Sequence, residues 1–135
     1  MIDYEPIVLA NGSVKIVTLC SASLQMTTYD QPFNVLASQQ IVLNYNATIM
    51  KCIEASNQCL IGTTSGRLLL MDLVNGNIAN IYNTNMNSPI SLIKTFSLGT
   101  NKHKIYVSFD NGILNEYKLL NKYIQLDRIC SAFKG

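Results

Sequence analysis

Gln58-Cys59-Leu60-Ile61-Gly62-Thr63-Thr64-Ser65-Gly66-Arg67-Leu68-Leu69-Leu70-Met71-Asp72-Leu73 decides how this chain is to be read. Two apolar runs, 59–61 and 68–73, are divided by Thr63, Thr64, Ser65 and Gly66. Short apolar runs on either side of a small polar break that contains Gly have the pattern of a strand, a tight turn and a second strand. The stretch therefore predicts a β-hairpin. Comparable hairpins recur in each direction: Ile49 stands 43 positions after Pro6, and Gly112 stands 46 positions after Gly66.

The first repeat opens with Pro6-Ile7-Val8-Leu9-Ala10, turns at Asn11-Gly12 and continues with the run 14–19. Asn-Gly between apolar runs predicts a type I′ turn, because both residues accept positive φ. A third strand is expected over 24–29, the breaker Asp30-Gln31-Pro32 follows, and 33–36 is a short fourth strand that 41–43 either continues or leaves. The second repeat runs through 49–55, the turn Ser56-Asn57, the hairpin above, the turn Val74-Asn75-Gly76-Asn77 and a fourth strand at 78–82. After the polar loop 83–88 and Pro89, the third repeat has strands at 90–96, 105–109, 113–117 and 123–126. A long turn is expected at 97–104, and 127–135 is left as a tail or partial strand. Repeats of about 40 to 45 residues made of four strands are those of propeller blades. The expected fold is all-β: four-stranded propeller-like blades forming part of a propeller, in one domain of residues 1–135 with approximate repeats 6–46, 47–88 and 89–127. A β-sandwich or barrel is the alternative.

These residues resemble the WD-repeat family in divergent form. The segment 66–73 is similar to the family's third strand, with Met71-Asp72 where a Trp-Asp pair would stand; 112–119 fills that place in the third repeat, with Tyr117-Lys118 at the pair, and Thr27-Thr28 holds it in the first. The chain has no Trp and no Gly-His dipeptide, so the resemblance implies the architecture and no individual residue role. A closed propeller takes about four to eight blades, whereas this chain supplies three. The resemblance thus implies a fragment of a longer polypeptide or a chain that pairs with itself or a partner.

Composition narrows the function. Hydrophobic residues make up 48% and charged residues 13%, the latter about half the usual share, so Asn, Ser, Thr and Gln must supply much of the polar surface. The fifteen Asn are read as a mark of an AT-rich genome. Ten Lys or Arg against eight Asp or Glu are scattered along the chain, which leaves no electrostatic footprint for nucleic acid. The acidic start Met1-Ile2-Asp3-Tyr4-Glu5-Pro6 is unlike a signal peptide, and no apolar run approaches the roughly 20 residues of a membrane span. The expected location is intracellular, cytoplasmic or nuclear. Cys20, Cys52, Cys59 and Cys130 then read as reduced core thiols, and the acceptor patterns at Asn11 and Asn46 carry no weight without secretion.

No catalytic constellation emerges. Asp30, Asp72 and Asp110 suit turns, where a carboxylate accepts backbone N–H groups. His103 has no nucleophile pattern beside it. Gly62 and Gly66 precede a strand with no Lys-Ser or Lys-Thr, so they form no phosphate cradle, and Gly62 is expected to permit close packing. The expectation is a non-enzymatic protein–protein interaction scaffold without cofactor or metal, with protein partners or self-association completing the propeller. Lys102, His103 and Lys104, with Lys94, form the candidate partner-binding loop. They also carry the alternative, a module that binds anionic headgroups or nucleic acid. Lys118, Lys122, Arg128 and Lys134 form a second basic set, with Tyr117, Tyr123 and Phe133 read as core or edge residues.

Overall fold

Leu68, Leu69, Leu70 and Met71 are each 0% exposed. Successive side chains of a strand point to opposite faces, so a strand buried at every position must be covered on both sides. Both covers are present. The structure, a computed structural model, describes residues 1–130, which form three four-stranded antiparallel sheets. The first holds β1 (Asp3–Val8), β2 (Val14–Leu19), β3 (Ser23–Tyr29) and β4 (Val35–Val42). The second holds β5 (Ala47–Ile53), β6 (Gln58–Thr63), β7 (Arg67–Asp72) and β8 (Asn77–Asn83). The third holds β9 (Ile90–Gly99), β10 (Lys102–Phe109), β11 (Leu114–Leu120) and β12 (Tyr123–Cys130). Each sheet is a meander in chain order. Three such sheets side by side form a partial, propeller-like fold, not a sandwich or barrel.

The middle sheet divides its apolar residues between two cores. Cys59, Ile61, Leu69 and Met71 join Val17, Leu19, Leu24 and Met26 of the first sheet. Leu60, Leu68 and Leu70 join Ile105, Val107, Tyr117 and Leu119 of the third. The sheets meet chiefly through their first strands, β1 on β5 and β5 on β9. The last strands lie furthest out, and β4 is exposed at nearly every position.

Polar side chains tie neighbouring sheets together by bonding to backbone. Thr48 Oγ1 donates to the Ile90 carbonyl at 2.6 Å, and the Glu5 carboxylate accepts the Cys52 N–H at 3.2 Å. Gln58 Nε2 donates to the Asn121 carbonyl at 2.7 Å, and Asn80 Nδ2 to that of Lys122 at 2.9 Å. Gly62 leaves the room that lets β9 close on β6, because a Cβ there would stand 2.6 Å from Ile90 Cγ2.

The turns differ in places from the sequence expectation. At Asn11-Gly12 only Gly12 has positive φ, +86°. The Gly12 N–H donates to the Leu9 carbonyl at 3.0 Å, as in a three-residue loop whose last residue is left-handed, instead of a type I′ turn. Gly66 and Gly112 close on Thr63 and Phe109 in the same way. The long turn expected at 97–104 is a hairpin around Thr100-Asn101, with Lys102 paired to Gly99 and His103 to Ser97 across a bulge. Asp30 and Asp72 accept backbone N–H groups as expected, whereas at Asp110 the backbone N–H donates to the Pro89 carbonyl. The Asn content has a structural use: Asn44, Asn57, Asn85, Asn87, Asn101 and Asn121 all have positive φ, a conformation Asn tolerates better than most L-residues.

Candidate functional site

The three expected loop residues sit on strand β10, and strand alternation sends them in different directions. His103 is buried toward the second sheet, 4% exposed, and among the described residues its Nε2 has no hydrogen-bond partner. Lys104 faces the opposite side, where its Nζ stands 3.5 Å from a Glu116 oxygen. Lys102 is exposed at the strand's start. They therefore form no single basic surface. Lys134 and Phe133 of the second set lie outside the described residues, while Lys118 pairs with Asp127 at 3.9 Å and Tyr117 is buried.

Burial holds the His103 imidazole below its ordinary pKa. The unfolded chain accepts that proton near pH 6.5 while the folded chain does not, so the stability associated with neutral His103 is complete above that pH and is lost as pH falls below it. Urea midpoints measured from about pH 7.5 down to about pH 5 are expected to fall, and to fall less in His103→Leu. Parallel decline of both proteins would show that this histidine is not the cause.

The arrangement with the most chemistry lies on the face of the third sheet that no other sheet covers. There β9 presents Leu92, Lys94 and Phe96, β10 presents Lys104, Tyr106 and Ser108, and β11 presents Leu114, Glu116 and Lys118, as the strand pairing requires. Phe96 and Tyr106 meet edge to face at 5.8 Å between ring centres. Leu92, Lys94, Phe96, Lys104, Tyr106 and Leu114 line an open groove, to which the neighbouring sheet adds Lys51. Glu116 lies at its side, 4% exposed, with Arg128 Nη2 at 3.3 Å from its second oxygen. The Tyr106 hydroxyl, with Arg128 and Lys104, holds this carboxyl below the ordinary carboxylate pKa against the opposing effect of burial.

The repeat shows how unusual this face is. In the second sheet Leu60 pairs with Leu70, Gln58 with Asp72 and Gly62 with Leu68. The corresponding pairs in the third are Tyr106 with Glu116, Lys104 with Lys118 and Ser108 with Leu114. Thus Tyr106 and Glu116 occupy the places of two fully buried leucines. Sequence reasoning left Glu116 without a role; the signal was a carboxylate at a core position once the repeats are aligned on Gly66 and Gly112.

The first sheet also has an uncovered face, and it is of another kind. Alternation puts Tyr4, Pro6 and Val8 of β1, Val14, Ile16 and Thr18 of β2, and Gln25, Thr27 and Tyr29 of β3 on it, with no charged side chain among them. Tyr4 is 57% and Val8 71% exposed.

Among the described residues no three His, Cys, Asp or Glu side chains gather to hold a metal ion. Cys52 and Cys59 face each other across β5 and β6 with sulfurs 3.3 Å apart, and burial pushes the Cys59 thiol up. No helix of the described residues is long and apolar enough to cross a membrane.

No family model matches the chain, and no curated protein matches it. Its architecture is nevertheless shared with a solved structure, that of BBS1N in complex with ARL6DN, with a TM-score of 0.67 and 14% identity over 96% of this chain. The likeness is one of fold. This chain spans 39% of the length of that one.

Proposed function

We propose that the chain is a non-enzymatic protein–protein interaction scaffold, a run of propeller blades that works within a larger complex. One observation carries the reading: both end sheets turn large apolar side chains to solvent on faces equivalent to those the middle sheet buries. Val8 and Tyr4 stand on one such face, and Leu92 and Phe96, 45% and 55% exposed, on the other. Exposed apolar faces of this kind mark sites of protein association. The BBS1N chain, of like fold, is in complex with ARL6DN, which supports a reading in which protein partners are bound. We place the chain among divergent relatives of WD-repeat proteins and inside the cell, in cytoplasm or nucleus, where its cysteines stay reduced.

Placing a charge on the first sheet's uncovered face tests the reading. Ile16→Lys is expected to leave the far-ultraviolet circular dichroism unchanged while reducing the association that sedimentation detects in the unaltered chain. Association that persists at full strength would show that this face is not used.

A further inference from the structure

Leu60 and Leu70 of the second sheet are fully buried against the third. Their counterparts Tyr106 and Glu116 face outward beside Lys104, Lys94 and Arg128. The middle sheet's face that receives a blade carries leucines at these two places, whereas burying a carboxylate against an apolar surface costs several kcal/mol unless it is paired.

We propose that the outer face of the third sheet is a docking groove for an acidic, apolar segment of a partner protein, whose apolar side chains lie on Leu92, Phe96, Tyr106 and Leu114 while its carboxylates meet Lys51 and Lys94. The inference rests on the scaffold reading and names the partner chemistry of one of its faces.

Charge decides the occupant. Among the described residues the groove is lined by Lys51, Lys94 and Lys104 and by no carboxylate. The nearest one, Glu116, is already engaged by Lys104 and Arg128, so Lys51 and Lys94 face the occupant without a counter-charge from the groove itself. A second copy of this chain docking head to tail would bring the first sheet's outer face, which offers Tyr4, Pro6, Val8, Val14 and Ile16 and no carboxylate. That pairing leaves the lysines unmatched. An acidic segment matches them, and complementary charge at an interface favours one partner over another chiefly by penalising the wrong one. The aromatic pair Phe96–Tyr106 supplies the rigid apolar contact on which such interfaces concentrate their energy.

The test uses the whole chain and two fluorescent peptides of equal length, one alternating Asp with Leu and the other Lys with Leu, followed by anisotropy. The acidic peptide is expected to bind about tenfold or more tightly than the basic one, and added salt should weaken it. Lys94→Glu should abolish that preference and Phe96→Asp should weaken binding, whereas Lys102→Glu, outside the groove lining, should change little. Each altered side chain is exposed, and circular dichroism confirms that the variants fold. Equal binding of the two peptides, failure of both to bind, or indifference to Lys94→Glu would overturn the proposal. If Lys94→Glu and Phe96→Asp instead dissolve a dimer of the unaltered chain, the occupant is a second copy, and the docking proposal fails while the scaffold reading stands.

Discussion

Leu69→Ala and Leu70→Ala are each expected to destabilise the chain by about 2–5 kcal/mol, the range for emptying a fully buried leucine site. These residues are neighbours on β7 and point to opposite faces. Leu69 belongs to the core shared with the first sheet and Leu70 to the core shared with the third. A hairpin with one wet face would lose heavily at one position and hardly at all at the other. Equal, large losses are the signature of a strand covered on both sides, and domains of this kind have only about 5–15 kcal/mol in total. Denaturant melts of the two variants, compared at equal m-value, provide the measurement. A cost below about 1 kcal/mol at either position would show that one of the two sheet-to-sheet contacts is absent.

Gly62→Ala is expected to cost about 1–3 kcal/mol, the range for overpacking a close-packed contact. The added Cβ would sit 2.6 Å from Ile90 Cγ2, 2.8 Å from Ile90 Cβ and 3.1 Å from Ile49 Cγ2. These are atoms of β-branched side chains, which are stiff near the backbone, so the second and third sheets must separate at this point. Ile90→Ala removes the opposing Cγ2 and opens a cavity of its own. In a double-mutant cycle the two substitutions should therefore couple favourably, by about 0.5–3 kcal/mol. Additive costs would mean that β6 and β9 do not meet at Gly62.

The second sheet was the most legible part of the chain. Its strands carry continuous apolar runs between turns marked by Gly66 and Gly76, because both faces are buried and the pattern is undiluted by solvent-facing residues. The outermost strand was the least legible. β4 runs unbroken from Val35 to Val42, which the sequence reading of a short strand at 33–36 left open for 41–43, since a strand with little burial has no apolar alternation to display. β1 begins at Asp3, before the expected opening at Pro6. In the sequence its acidic residues serve only to set it apart from a signal peptide; in the structure Glu5 is held at the contact with β5 by the Cys52 N–H.

Only part of the candidate site was legible. The basic triplet Lys102-His103-Lys104 is conspicuous in one dimension, and strand alternation separates its members in three. Lys104 and Lys94 do reach the groove, together with Leu92, Phe96, Tyr106 and Leu114 from three strands. Nothing local in the sequence joins those positions. What joins them is the pairing of β9, β10 and β11, which can be deduced only after the repeat is accepted and its register is set by Gly66 and Gly112.

The central claim is that these blades present apolar faces that other protein must cover, and the native mass of the purified chain in solution tests it most directly. Sedimentation over a range of concentrations is predicted to give species heavier than the 15.0 kDa chain, or a chain that remains soluble only with a partner. A single 15.0 kDa monomer, soluble at every concentration and unable to bind a hydrophobic dye, would contradict it.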